Sequence, residues 1–582
     1  MRNIHLQNRF LLHIFLLSSI LFFNSCGGGK TSSNIDAPID STDVSDTTTT
    51  EKVITSLPDT SYASVAKIKY TIDTISAEID QTIDNLNDLY TGAPGIFAFR
   101  GNPKRQANFG GTVSGTPDTI IIDWEFHTAQ TPPNFKSGKW GGGTGWTGQP
   151  LYVKWPEDKL NAFAAKGLTN AEFSGEEIIV GSLCHTLYFI DFKTGKASRQ
   201  PIDVGNPIKG TPSLDPTLNG NLYVGQGIPD KRPFGNLVVD LDQGKITRHF
   251  PEDRKARRSW GAFDSSPIRV GQFLFWAGEN GTLYKYLIKD ADLELVSTLR
   301  YTVGGAAPGM EASIAVYRNY GYTADNHGHI LCTNLNTMRP VWHFDNGDDT
   351  DATIVVSEEN GHPYVYVCCE IDRIPRDASY FRKLDALTGE LVWEYAAPGR
   401  RFNIEKKHFD GGYYATPLLG KGNCADLIFC NQVKNLKGQN GDFVAVSKAT
   451  GELVYTIPLK HYAWSSPVGL LNEKGEMFIF TGDTYGNVYL INGRDGKVLY
   501  TQHVGNNFES SPIVIGNQVV VGSRGHSIYK MSSNILCLYT CIAYYYVLKL
   551  YFSICIIIKY ISTHSYMLLT GTIIYPFFTF LL

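Results

Sequence analysis

Little in this chain points to a disulfide scaffold, a nucleic-acid surface or a hydrolase. It has 10 cysteines in 582 residues. Six of them (Cys184, Cys332, Cys368, Cys369, Cys424 and Cys430) lie in its middle. They are too few to staple a core of this size, so the fold does not depend on a disulfide framework. The formal net charge is −4. With no basic footprint, nucleic acid is not an expected partner. No Gly-x-Ser-x-Gly elbow, phosphate-binding loop or zinc-hydrolase helix motif occurs. Long helical periods that could cross over between parallel strands are also missing, which leaves an all-β class.

What is present instead is a repeat. A four-residue signature recurs as Thr147–Pro150, Lys209–Pro212, Asp264–Pro267, Glu311–Ile314, Asp351–Ile354, Tyr414–Pro417, Trp464–Pro467 and Glu509–Pro512. Such spacing marks a propeller or a solenoid. After Pro467 come Met477–Gly482, Asn487–Asn492 and Lys497–His503, three apolar runs separated by Gly and Asp turns. With the strand that carries the signature, each unit holds four strands. The expected architecture is an eight-bladed β-propeller of four-stranded antiparallel blades. The last unit has no credible outer strand, whereas a spare strand, Thr119–His127, lies upstream of the first signature. It is expected to complete the eighth blade and remove the open sheet edge.

The pattern Tyr/Phe-x-Leu/Ile-Asp-x-x-Thr-Gly followed by an aromatic strand, as in Phe381–Asp385, Thr388-Gly389 and Leu391–Tyr395, resembles the quinoprotein-like propeller repeat. That repeat is shared by PQQ-dependent alcohol dehydrogenases and by the propeller lipoprotein of the outer-membrane barrel-assembly machinery. The resemblance covers about Trp124 to Lys530. It implies either a non-catalytic envelope protein or a dehydrogenase of alcohols or sugars that uses PQQ with calcium. In the enzymes a vicinal disulfide sits against the cofactor, and Cys368-Cys369 matches that dipeptide; two ordinary thiols are the alternative. The calcium ligands, the tryptophan floor and the catalytic Asp of the enzymes find no counterpart by motif. No catalytic residue and no metal ligand is therefore assigned, and no cofactor is expected, with PQQ and calcium as the alternative.

Outside the propeller, residues 1–25 read as a secretory signal with Arg2, Arg9 and an apolar stretch to Phe23. Cys26 followed by three glycines is similar to the lipidated cysteine of bacterial lipoproteins. Residues 26–60 are poor in large apolar residues and read as a tether. Residues 61–118 form an N-terminal extension, in which the Ile/Leu spacing of Ile75–Tyr90 predicts a short helix under the propeller. The propeller spans 119–533. The hydrophobic tail, 534–582, follows a different grammar; we read it as out-of-frame translation, with a membrane anchor as the alternative.

The candidate site is the mouth of the central channel, where the first signature positions should gather. Asp264, Glu311 and Asp351 come from consecutive units and predict an acidic arc; Tyr414 and Trp464 predict an aromatic arc beside it. Lys209, Glu509, Trp146 and Trp260 complete the set. Concave mouths of this composition are default ligand sites, and the acids favour a cation, a basic peptide segment or an amine. The functional expectation is a monomeric, non-catalytic scaffold, lipid-anchored in the cell envelope at the periplasmic face of the outer membrane, with envelope proteins as partners. The dehydrogenase is the first alternative, and a glycan- or peptide-binding module the second.

Overall fold

The computed structural model describes residues 65–534, apart from 66, 84–88, 108, 147, 291 and 405–406, together with residue 549. The signal, Cys26, the tether and nearly all of the tail lie outside the described residues.

Met477–Gly482 is buried at every position, and Asn487–Asn492 at all but the last. A strand can bury both faces only when a sheet covers each side. Eight antiparallel blades satisfy that demand around one axis. The seventh runs outward through Val468–Leu471, Met477–Gly482, Asn487–Asn492 and Val498–His503. In the eighth, Thr119–His127 pairs with Ser527–Asn534, placing Ile120 opposite Ser533 and Phe126 opposite Ile528. Ser527–Asn534 in turn pairs with Gln518–Gly522. The two ends of the ring share one sheet.

The repeated residues have physical roles. The three Thr-Gly turns at 194–195, 388–389 and 450–451 each receive a tryptophan from the rim strand of the blade before. Trp342 Nε1 donates to the Ala386 carbonyl at 2.9 Å, and Trp393 Nε1 donates to the Lys448 carbonyl at 2.9 Å. At the turns themselves Gly389 and Gly451 have φ of 76° and 74°, and a Cβ on either would stand 2.7 Å or less from the indole. Only glycine meets both constraints. Trp124 repeats the latch across the closure, donating to the Phe192 carbonyl at 3.0 Å.

The third signature position forms a belt around the channel. The Gln149 amide donates to Thr211 Oγ1, Ser266 to Ser313 Oγ, Ser313 to Thr353 Oγ1, Thr416 to Ser466 Oγ, and Ser466 to Ser511 Oγ, all at 2.8–3.1 Å. A hydroxyl residue recurs there because it satisfies the preceding blade's buried amide.

The extension behaves differently from expectation. Ile68–Thr74 adds a fifth strand to the rim of the third blade, with Ile68 opposite Val303 and Thr74 opposite Ser297. The described residues of the expected helix, 75–83 and 89–90, run in turns and bends, and 84–88 lie outside the description. The one helix described in full is Glu157–Ala165, inserted between the first two strands of the first blade.

Residues 95–113 enter the channel and bond to the inner strand of every blade. Gly95–Ile96 pairs with Leu151–Lys154. The Leu214 amide donates to Phe97 O, Val316 to Pro103 O, and Val356 to Lys104 O. Arg105 donates to the carbonyls of Phe99, Ser266 and Ile314 at 2.8–2.9 Å. Arg100 donates to those of Pro467 (3.0 Å) and Pro417 (3.3 Å). Thr112 and Val113 reach Gly516 and Leu471. Both arginines are fully buried, and burial pulls Arg100 down to about 9 and Arg105 down to about 10. This plug closes one end of the channel.

Candidate functional site

The open end is the mouth. Each described first signature position sits just before an inner strand, so the belt that binds the third positions also fixes these first positions in a ring. Trp146, Asp264, Glu311, Asp351, Tyr414 and Trp464 line a cavity of ≈ 30 Å³.

Lys209 lies beside this cavity and is itself buried. Its ammonium is ion-paired with Asp264, lies 3.8 Å from Glu311 and 4.0 Å from Glu279, and stands 4.1 Å from the centroid of the Trp146 ring. Trp146 Nε1 reaches Glu311 Oε2 at 3.4 Å. Trp146 holds a left-handed φ of 58°, uncommon for a bulky residue. Trp464 stacks on Tyr414 at 4.8 Å and meets Trp146 edge-on at 5.8 Å.

Three acids that the signature did not reveal join the ring. Glu279 follows the strand Phe273–Gly278 and groups with Asp264 and Glu311; Asp349 and Glu370 group with Asp351. Within each trio the ligand atoms lie within 4.8 Å of one another. Burial, and then the nearby Glu311, pushes Glu279 up to about 8. Asp349 and Asp351 are held well above the usual carboxylate range by burial and then by Glu311, and Glu370 by burial and then by Asp351. Tyr414, hydrogen-bonded to Glu370, has its phenol pushed up by burial first and by that carboxyl second. Glu279 occupies the turn after a strand and Glu370 opens the short strand Glu370–Ile371, both outside the repeated tetrad. The only sequence signal for them was their place at a strand's end near the axis.

Two ring candidates lie apart from the cavity. Glu509 pairs with Arg524 at 3.0 Å and accepts from Asn507 at 2.7 Å. Trp260 is 37% exposed and packs on Phe234, because its loop runs outside the ring.

The vicinal disulfide is not formed: Cys368 and Cys369 are free, buried thiols. Successive residues at a strand's end diverge. Cys368 hydrogen-bonds Cys430 in the next blade, whereas Cys369 has the Arg382 guanidinium nearby. His327 occupies a turn of the fourth blade and His329 opens the strand His329–Asn334, where His343 Nε2 meets His329 Nδ1 at 3.0 Å.

Residues 437–535 match the sequence profile of the family described as outer membrane protein assembly factor BamB. No curated protein matches the chain. A europium-containing methanol dehydrogenase is similar in structure, with a TM-score of 0.54 and 13% identity over 76% of this chain and 99% of that one. The quinohemoprotein alcohol dehydrogenase from Comamonas testosteroni also gives 0.54, with 12% identity over 79% and 84% of the two chains. BamB from Moraxella catarrhalis gives 0.43, with 15% identity over 63% and 95%. The two dehydrogenases share the fold with this chain, a propeller of the PQQ-repeat type. Among the described residues, no helix is long and apolar enough to cross a membrane.

Proposed function

We propose that this protein is a non-catalytic propeller scaffold of the cell envelope that engages its ligand or partner at the channel mouth. The carrying observation is the acidic, aromatic cavity whose neighbouring space is filled by the chain's own Lys209. The match of residues 437–535 to an envelope assembly factor supports the location. Lipidation of Cys26, with envelope proteins as partners, is part of the same reading.

The dehydrogenase reading draws on the two structural neighbours and on the carboxyl trios, which could hold a cation. The mouth does not fit its cofactor. PQQ is a planar tricyclic tricarboxylate, and pockets for ligands of that size are roughly 300–1,000 Å³. The cavity here is ≈ 30 Å³. Its wall and surroundings present six carboxyls, with Lys209 as the one cation within ion-pair distance among the described residues. Like charges facing a tricarboxylate disfavour it.

Absorbance and mass analysis of the purified protein after incubation with PQQ and calcium tests the proposal. The expected outcome is no retained quinone and no dye-linked alcohol oxidation. A stoichiometric bound quinone overturns it.

A further inference from the structure

The two carboxyl trios at the mouth are alike in composition but not in company. Asp264, Glu279 and Glu311 share an ammonium, that of Lys209, capped by the face of Trp146. Asp349, Asp351 and Glu370 have no ion pair among the described residues, yet the cavity opens between Asp351 and the Tyr414–Trp464 stack. The chain thus displays what one trio accepts and leaves its neighbour without it.

Independent atoms point the same way. Asp264, which lines the cavity, is 7% exposed, and its Oδ1 has no hydrogen-bond partner. Asp349 Oδ1, at the second trio, is likewise enclosed without a donor. Enclosed acceptors without donors are costly, so a group bringing several N–H donors gains more here than in water. An ammonium carries three donors and no acceptor. Aromatic faces attract it further. The volume next to Asp351 suits a small cationic head whose chain extends outward past Trp464.

Resting on the mouth as the binding site, we propose that its ligand is a protonated primary amine, seated between Asp351, Glu370 and the Tyr414–Trp464 stack as a counterpart of Lys209. The amine is either a free alkylamine or a lysine side chain; the recognition chemistry is the same. Seating a cation beside these acids favours their ionised forms, so binding releases protons.

Isothermal titration of the full-length protein with n-butylamine, with a glycine-flanked lysine peptide and with its acetyl-lysine analogue tests this at pH 7. The expected result is saturable one-to-one binding of butylamine, the lysine peptide or both, none of the acetylated peptide, and a heat that varies with buffer ionisation enthalpy. Binding of both probes assigns the shared ammonium; binding of only one identifies its source. Asp351→Asn should weaken binding about tenfold, and Trp464→Phe, which keeps an aromatic face, by less. Circular dichroism confirms that each variant is folded. No amine binding, binding indifferent to Asp351→Asn, or calcium binding in its place overturns the inference. If amines fail while no quinone is retained and envelope proteins still co-purify, only the amine falls and the scaffold reading stands.

Discussion

At one end of the channel Arg100 and Arg105 are buried among backbone carbonyls; at the other, six carboxyls crowd beside Lys209. Both ends bury charge, an expensive act without compensation. The plug compensates through geometry. Arg105 spends its guanidinium on three carbonyls that inner strands and the plug itself leave unpaired. The mouth compensates through protons, since burial and the neighbouring acids hold its carboxyls above their usual range. The lesson is that the plugged end is built to stay as it is, whereas the open end is built to change its charge.

The sharpest way to break that contrast is Arg105→Met. Three buried carbonyls would lose their donor, at about 1–3 kcal/mol each, so the urea midpoint should fall by the largest margin of any single change here. Arg100→Met should cost roughly half as much, because Arg100 reaches two carbonyls and its Nε has no partner. If either variant leaves stability unchanged, the plug is decoration.

Changes at the mouth should act in the opposite sense. For Glu279 the folded value lies above the ordinary one, so its stabilising contribution is complete below about 4.5 and is lost as pH rises through about 8. Thermal stability should therefore decline between pH 5 and 8.5. Glu279→Gln should flatten that decline and gain on the order of 1–2 kcal/mol at pH 8. A melting temperature that rises over this range would contradict the assignment. The smallest effect belongs to Asp351→Asn, expected within about 0.5 kcal/mol of the parent at pH 7, since it keeps a polar side chain of the same size where burial and Glu311 already disfavour the carboxylate.

The blades were legible because they are periodic. The signature, the Thr-Gly turns and Trp124, Trp342 and Trp393 recur for reasons each blade repeats, and Thr119–His127 stood out as a strand without a unit. The plug was not legible. Residues 95–113 have neither a two- nor a three-and-a-half-residue period, and their arginines are buried where arginine is ordinarily exposed. The Ile/Leu spacing after Thr74 looked helical, but the extension is ordered by the third blade's rim rather than by its own propensity. At the mouth, the ring residues followed from counting. Glu279, Asp349 and Glu370 did not, because they lie outside the repeated tetrad, Glu279 in a turn and Glu370 in a two-residue strand.

The sheet shared by Thr119–His127 and Ser527–Asn534 sets the order of assembly against the order of synthesis. The first of these segments precedes its mate by some 400 residues, so blades one to seven can stack before the last segment arrives, but the circle cannot lock. Throughout that interval the early segment must be kept from pairing with the wrong neighbour. The moment of locking is then also the moment at which the plug acquires its last contact, that of Thr112 with Gly516. A propeller sealed in this way matures in a single late step, and a cell that shields the waiting segment controls when.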